Sequence, residues 1–547
     1  MDSLNRTTTL PGLFAATLER SCEKNALAFA GEKPMTYSEV NDKILSLISF
    51  LEKNHIKPGD KVAILGSNMP NWGISFYAVT FMGAVAVPVL PDFTPEEISN
   101  VINHSESKFL FISSVLLPKI ESISAEMPET IVLIENYAPL KTRKDFVPYS
   151  ENGRPAVEYK VTGSNIASII YTSGTTGKSK GVMLTHGNIS FTAISGSKVH
   201  YLDENDRFLS VLPLSHTYEN TLGLVLPMYR GSCVYYLRKP PTPAVLLPAL
   251  EMVRPTAMLT VPLIIEKIYF NKIAPAFRDN IIIRLNKIPF LRKVFNKAAG
   301  KKLMKTFGGE LRFYGIGGAK LNKTVEKFLI EAHFPYAIGY GLTETSPLLA
   351  GSGPSNTVFE STGPAIEGVE LKINNPDPVT GEGEIWAKGP NVMSGYYKEP
   401  EMTRGVITPD GWFKTGDLGL FDRKNNLFIR GRLKNVIVGA SGENIYPEEI
   451  ESLINSFRHV VESLVVEQKG KLVALVHVNM EELGKRYVQA RDEAARQIDE
   501  KVDELLREIQ DYVNSKVNKF SRINKVVLQP VPFQKTATQK IKRFLYS

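Results

Sequence analysis

The sequence predicts an α/β protein: a large N-terminal part with mainly parallel strands, followed by a small C-terminal unit. Three observations carry that reading. At 547 residues the chain exceeds what one hydrophobic core usually serves, so at least two domains are expected. Up to about residue 430, short β-rich runs alternate with helical stretches, the pattern of layered strands and crossover helices. From Val369 the texture shifts to Gly-, Pro- and Asn-rich turns between short strands, ending near Gly431, and a shorter unit follows. The boundary is placed between Gly431 and Lys434.

Val62 to Leu65 and Phe109 to Ile112 read as buried strands. Glu96 to Asn103 begins a helix after Thr94-Pro95, a cap followed by proline at the first helical position. The longest apolar run, Phe76 to Leu90, is short of the roughly 20 residues a membrane helix needs. Containing Gly83 and Pro88, it reads as a buried helix-to-strand passage. Ile166 to Thr172 is a β-branched run leading straight into a glycine-rich loop. In the smaller unit, Val461 to Glu467 and Lys471 to Val478 read as strands. A charged helical stretch then runs from about Leu483 to Val517, with Ile498, Val502, Leu505 and Ile509 on one face. Packing of that face on the unit's own sheet is preferred to a coiled-coil partner.

Composition narrows the function classes. An apolar fraction of 43% and a charged fraction of 22% are those of an ordinary soluble protein. A net charge of +8 is modest for this length, and aromatic and basic residues are not interleaved as in single-strand binders, so no nucleic-acid partner is expected. Cys22 and Cys233 form no disulfide or metal pattern, which fits a reducing compartment. The N-terminus lacks the layout of a secretory signal, and a cytoplasmic protein is expected. Ile281 to Gly309 carries eight Lys or Arg and no acidic residue, with Leu291, Val294, Phe295 and Ala298 on one helical face. Packing of that face on the core is preferred; contact with an anionic membrane surface is the alternative.

The strongest local signal is Tyr171-Thr-Ser-Gly-Thr-Thr-Gly-Lys-Ser-Lys-Gly181. Its small residues let the backbone approach phosphate oxygens closely, its amides and hydroxyls can surround them, and Lys178 and Lys180 add positive charge. Gly177-Lys178-Ser179 matches the end of a Walker loop, but Thr172 stands where that motif needs glycine. Gly177-Lys-Ser-Lys-Gly181 also matches a serine-hydrolase nucleophile elbow, although lysines flank Ser179 and no Asp or His partner announces itself. Neither reading is excluded by this loop alone. A second cluster is Gly339-Tyr-Gly-Leu-Thr-Glu-Thr-Ser-Pro347. Tyr340 offers a flat ring for a purine, Thr343 a hydroxyl for a phosphate and Glu344 a hard oxygen ligand for magnesium; an ordinary strand-to-turn segment is the equal alternative. Gly315-Ile-Gly-Gly-Ala319 supplies bare backbone where a planar ring could lie. The third cluster is Gly411-Trp-Phe-Lys-Thr-Gly-Asp-Leu-Gly419 followed by Gly431-Arg-Leu-Lys434, where an Asp and an Arg reaching one ribose are as natural as a local cap.

Taken in order from about residue 10 to the C-terminus, these segments resemble the adenylate-forming superfamily of acyl-CoA synthetases, peptide-synthetase adenylation domains and luciferases. The order disposes of the Walker and hydrolase readings. Within the superfamily the chain resembles long-chain fatty acyl-CoA synthetases, through Val211-Leu-Pro-Leu-Ser-His-Thr-Tyr-Glu219, Val253-Arg-Pro-Thr256, Val261-Pro262, Glu266-Lys-Ile-Tyr269, Gly341 to Pro347 and Gly389-Pro-Asn-Val-Met-Ser-Gly-Tyr-Tyr397.

The resemblance implies a multi-subdomain N-terminal AMP-binding domain over residues 1–431 and a small mobile α+β domain over 432–547, joined by a hinge at Lys434. It implies that Thr172, Ser173, Gly174, Thr175, Thr176, Gly177 and Lys180 hold the β- and γ-phosphates of ATP. Gly318, Ala319 and Tyr340 would line the adenine, with Gly341 beside them, Thr343 would meet the α-phosphate and Glu344 would hold Mg2+. Asp417 and Arg432 would contact the ribose, and Gly442, within Ser441-Gly-Glu443, would belong to a loop that turns inward for thioester formation. Lys535-Thr-Ala-Thr-Gln-Lys-Ile-Lys-Arg543 resembles the segment with the family's catalytic lysine, here Lys540. Catalysis would then rest on Lys540, Thr343 and Glu344. Gln539 departs from the glycine usual before that lysine, and glycine reaches backbone angles that glutamine reaches only at a cost.

The implied reaction is ATP-dependent activation of a fatty acid to acyl-AMP, with loss of pyrophosphate and then transfer to coenzyme A. A carrier-protein thiol as acceptor and a non-catalytic acyl- or nucleotide-binding relative are the alternatives. A homodimer and a peripheral membrane contact are carried as further partner options. The acyl pocket is sought around His216 and Tyr218 and along Thr221 to Met228, with His216 lining it. Each buried methylene of an acyl chain contributes ~0.8 kcal/mol, so depth alone could select chain length.

Overall fold

The computed structural model describes residues 8–123, 126–172, 179–277, 288–438, 444–457, 459–480, 493–536 and 540–546. Two eight-stranded sheets dominate the N-terminal part. In the first, Phe313–Ile316, Ala257–Thr260, Arg207–Ser210 and Cys233–Tyr236 lie parallel at the centre, between Tyr336–Gly341 on one side and Asn25–Phe29 on the other. Antiparallel strands, Leu348–Gly351 and Met35–Thr36, close its two edges. In the second, Ile166–Thr172, Val85–Val89, Lys61–Leu65, Ser107–Ile112 and Thr130–Leu133 run parallel. Strand Lys180–Thr185 returns antiparallel beside Ile166–Thr172. The central strands are continuous apolar runs, as sheets covered on both faces require; Val85–Val89 is buried at every position.

One core joins the two sheets, with Trp72, Phe76, Tyr77, Phe109 and Phe111 among its buried rings. The outer faces carry separate cores, one under Pro243–Val253, Pro289–Thr306 and Lys323–Glu331 and one under Pro95–Ser105. A four-stranded antiparallel sheet follows, Glu370–Asn374, Gly383–Lys388, Phe413–Phe421 and Leu427–Arg432. After Arg432 the chain builds a small α+β unit. Its three-stranded sheet is Val460–Gln468, Lys471–Val478 and Lys525–Leu528, covered by helices Pro447–Ile454 and Glu493–Lys516.

Local signals explain many of these elements. Thr94 and Glu97 form a capping box with Pro95 at the first helical position, so the helix begins where its sequence signature stands. The apolar run divides into helix Pro70–Phe81 and strand Val85–Val89. Pro88, unable to donate to a ladder, sits where pairing with Ile166–Thr172 has thinned to the Ala86–Ser168 partners. In the C-terminal helix Val502 and Ile509 are buried and Leu505 packs beside them on the small unit's own core. Residues 481–492 and the Ile498 side chain lie outside the described set. No helix among the described residues is long and apolar enough to cross a membrane.

The basic helix departs from expectation. In Pro289–Thr306 the face of Leu291, Val294, Phe295 and Ala298 is only partly covered: Leu291 and Phe295 are half-buried, while Val294 is 50% exposed and Ala298 is exposed. Asn296 and Leu303 face inward instead. The reason is polar. Glu331 is nearly buried and takes Arg292 at 2.8 Å and Asn296 at 2.7 Å, which turns those two side chains toward the core. A carboxylate left alone there would be costly, so its partners set the rotation of the helix.

A second buried polar group sits at the centre of the N-terminal part. Glu219 opens a π-helical turn, Tyr218–Val225, and accepts a 2.6 Å hydrogen bond from Ser210 Oγ. Asn68 donates to Ser210 Oγ at 3.0 Å and to the Leu212 carbonyl, and accepts from the Leu214 amide, fixing the segment that leads to His216. Burial pushes the Glu219 carboxyl from 4.5 up to about 8. The folded state therefore holds a proton that the unfolded chain has already released, and stability falls as pH rises from 4.5 toward 8. Glu219→Gln keeps the Ser210 bond and removes the titration. Urea unfolding across pH 5 to 8 is expected to show the variant gaining on the native protein by on the order of 1 kcal/mol per pH unit. A constant difference would exclude the titration of Glu219 as the cause.

Candidate active site

The C-terminal ends of Phe313–Ile316 and Tyr336–Gly341 open on one side of the first sheet, where open α/β sheets place their clefts. Gly318 and Ala319 follow the first of these strands and are exposed there. Gly318 adopts φ +84°, a left-handed conformation that glycine takes without strain. Gly341 is required for another reason: a Cβ on it would lie 1.8 Å from the Pro347 carbonyl oxygen, so only glycine lets strands Tyr336–Gly341 and Leu348–Gly351 close around the Thr343–Thr345 turn.

The four-stranded sheet reaches the same place. Asp417 and Arg432 are register partners on antiparallel strands, and Arg432 Nε stands 3.2 Å from Asp417 Oδ1. The Tyr340 hydroxyl donates to Asp417 Oδ2 at 2.8 Å. Burial raises the Asp417 carboxyl above the usual range, and Arg432, the Tyr340 hydrogen bond and Lys540 oppose that rise. Arg432 itself stays exposed. Glu344, in the turn after Tyr336–Gly341, accepts a 2.9 Å hydrogen bond from the Tyr396 hydroxyl. Lys180 pairs across the strands with Thr172, and its ammonium lies 5.1 Å from the centre of the Tyr396 ring.

Lys540 arrives from the small unit. Beside it, the Thr536 amide donates to the Lys540 carbonyl at 2.8 Å, and Lys535 pairs with Ile541. Lys535 is held by Glu462 at 2.5 Å. The Lys540 side chain is exposed, yet protein crowds around it in the cleft. That crowding lowers its pKa below the ordinary lysine value, Arg432 lowers it further, and Asp417 and Glu344 pull it back up. His216 shares this field: burial, with Lys540 adding, brings its imidazole down to about 4. Its Nδ1 accepts from the Tyr218 amide, so the neutral ring carries its proton on Nε2.

Glu344, Tyr340, Asp417, Arg432 and Lys540 thus come together, Thr343 stands next to Glu344 in the same turn, Gly318, Ala319 and Gly341 lie at or just beyond the C-terminal ends of the two strands, and Thr172 and Lys180 are on the neighbouring sheet. Lys434 sits in the exposed turn Leu433–Asn435, at the start of the small unit. Ser173, Gly174, Thr175, Thr176, Gly177, Gly442 and Gln539 lie outside the described residues. Reading the chain missed Tyr396 and gave His216 only a lining role; the signal for Tyr396 was its place in the Gly389–Tyr397 motif. Among the described residues no group of three His, Cys, Asp or Glu could hold a metal. A single carboxylate, Glu344, fits magnesium that draws its remaining ligands from substrate phosphates and water.

Comparison with known proteins agrees with this architecture. Residues 14–397 match the family described as AMP-binding enzyme. The peroxisomal long chain acyl-CoA synthetase 6 of Arabidopsis thaliana is 30% identical, over 82% of this chain and 69% of that protein. The 4-coumarate–CoA ligase CCL1 of Humulus lupulus is 28% identical, over 90% and 84%. The o-succinylbenzoate CoA synthetase of Bacillus subtilis, solved with its acyl-adenylate intermediate OSB-AMP, superposes with a TM-score of 0.76 at 23% identity, covering 98% of each chain. With a family match over most of its length and the same fold, this chain belongs to the AMP-binding enzyme family.

Proposed function

We propose that this protein activates a fatty acid with ATP and transfers the acyl group to coenzyme A. The observation that carries the proposal is Lys540, which the small unit delivers beside Asp417, Arg432 and Glu344 of the large part. In the first step an oxygen of the substrate carboxylate bonds to the α-phosphorus of ATP. The bond from that phosphorus to the bridging oxygen breaks, and pyrophosphate leaves. Negative charge gathers on the phosphate oxygens in the transition state, where the Lys540 ammonium and the Thr343 hydroxyl stabilise it more than in the ground state. Magnesium, when bound at Glu344, would neutralise charge on the same oxygens. Tyr340 and the Gly318–Ala319 backbone take the adenine, Asp417 and Arg432 the ribose, and Thr172 and Lys180 the β- and γ-phosphates. In the second step the thiol gives its proton to water, its sulfur bonds to the acyl carbon, the bond from that carbon to the phosphate oxygen breaks, and AMP departs with that oxygen.

Both steps need the same space, so the small unit, which follows Arg432, moves about Lys434 between them. Among the described residues the contacts that oppose this include Lys320 to Glu449 at 3.0 Å, Arg430 to the same carboxylate at 3.8 Å, Asn322 to the Ser452 carbonyl, and the Tyr446 hydroxyl to Glu382 at 2.6 Å. All are polar and re-formable. A long-chain substrate is supported by the long-chain relative; the coumarate ligase makes an aryl acid the alternative. Peripheral contact with an anionic membrane, where such acids partition, is supported by the outward face of Pro289–Thr306. There Phe290 is 74% exposed, Val294 stands one turn on, and Lys293, Lys297, Lys301 and Lys302 are exposed around them.

Incubation with ATP, magnesium, CoA and a graded panel of fatty acids plus one aryl acid, followed by mass spectrometry, is expected to show long-chain acyl-CoA and AMP. Lys540→Ala should lower acyl-AMP formation about a hundred- to thousandfold, as loss of one preorganised donor does. Acyl-AMP without thioester would move the acceptor to a carrier-protein thiol, and no AMP from any acid would remove the proposal. Lys434→Pro is expected to slow thioester formation from preformed acyl-AMP more than adenylation; equal slowing in single-turnover assays would exclude a hinge there. Sedimentation with phosphatidylglycerol vesicles should fall on Phe290→Ser and on neutralising the four lysines. Binding that survives both changes would eliminate the membrane contact.

A further inference from the structure

The segment Gly389–Tyr397 has no role in the reaction just described, yet it holds Glu344 from two sides. The Met393 amide donates to the Glu344 carbonyl at 2.9 Å. Buried Asn391 donates to the Thr345 and Leu348 carbonyls at 3.1 and 2.8 Å, and its own carbonyl accepts from Ser346 Oγ at 3.0 Å. Strand Gly395–Tyr396 is itself pinned antiparallel to Val182–Met183, two residues beyond Lys180. From that strand Tyr396, only 5% exposed, directs its hydroxyl 2.9 Å from Glu344 Oε1, with its ring 5.1 Å from the Lys180 ammonium. Among the described residues no other side chain hydrogen-bonds the Glu344 carboxylate.

We infer that Tyr396 is a positioning residue for the metal site: its hydroxyl occupies one oxygen of Glu344 and aims the other at the cation, while its ring face steadies Lys180 on the phosphate side. A carboxylate on a free side chain samples several rotamers. One oxygen tied to a rigid, buried phenol restricts it to a single direction, which is how outer-shell partners orient metal ligands. The arrangement also links the two sheets, since Glu344 follows a strand of the first and Tyr396 and Lys180 belong to the second. The inference rests on the magnesium role proposed for Glu344.

Tyr396→Phe removes one oxygen and keeps the ring. Binding of Mn2+ to the full chain with a non-hydrolysable α,β-methylene ATP analogue, read by electron paramagnetic resonance, is expected to weaken about 10- to 100-fold. Affinity for the metal-free analogue and the thermal midpoint should stay within error of the native protein. In a Glu344→Gln background, Tyr396→Phe should weaken Mn2+ binding no further, because the tyrosine acts through that carboxylate. Native-like Mn2+ affinity in Tyr396→Phe, or full additivity of the two changes, would overturn the inference. If the native protein itself bound no Mn2+ with the analogue, the metal role of Glu344 would fall, and this inference with it.

Discussion

The architecture depends on one buried carboxylate. Asp417 lies where the four-stranded sheet meets the open edge of the first large sheet, and it is satisfied by Arg432 from its own sheet and Tyr340 from the other. An unpartnered carboxylate at that depth would be strongly destabilising, so the two sheets can meet there only with both partners in place. Two consequences follow from one pair of contacts. Arg432 is fixed as the last residue of the large part's final strand, and Tyr340 is fixed at the rim of the cleft. The position of Lys540 is then set against this frame, because the negative charge of Asp417 and Glu344 favours an ammonium beside them while Arg432 opposes it.

That balance suits the arrival and departure proposed for Lys540. A fully neutralised, dry ion pair would lock the small unit in place, and a repelled lysine would not enter. Lys540 sits between these extremes, exposed within the cleft and pulled both ways. Among the described residues the small unit also meets the large part through polar contacts at Lys320, Asn322, Glu382 and Arg430, and its own core lies inside it. The large part is the opposite. Its two sheets share one continuous core, so the surfaces that form the cleft keep their spacing.

Much of this was legible along the chain, and for particular reasons. The Thr94 cap, the run divided into Pro70–Phe81 and Val85–Val89, and the strands Lys61–Leu65, Ile166–Thr172 and Lys471–Val478 are local matters of capping, periodicity and β-branching. The basic helix was misread because its rotation is set by Glu331, more than 30 residues away in sequence, and no periodicity within the helix reports that. Tyr396 escaped for a similar reason. Its partner Glu344 is 52 residues distant, and a tyrosine in a glycine-rich strand looks the same whether its hydroxyl meets a carboxylate or a water.

Sequence by itself determined the α/β class, the order of the glycine-rich, Tyr-Gly-Leu-Thr-Glu and Asp/Arg segments, and the candidates proposed to meet a phosphate, a ribose or a metal. Those are properties of residue type and local spacing, written directly in the chain. Only the tertiary structure decided that Asp417 and Arg432 stand opposite each other, that His216 shares the field of Lys540, that Glu219 is buried deeply enough to hold its proton to about 8, and which face of the basic helix looks outward. Each of these depends on desolvation or on the distance between residues remote in sequence, and both come into being when the sheets pack.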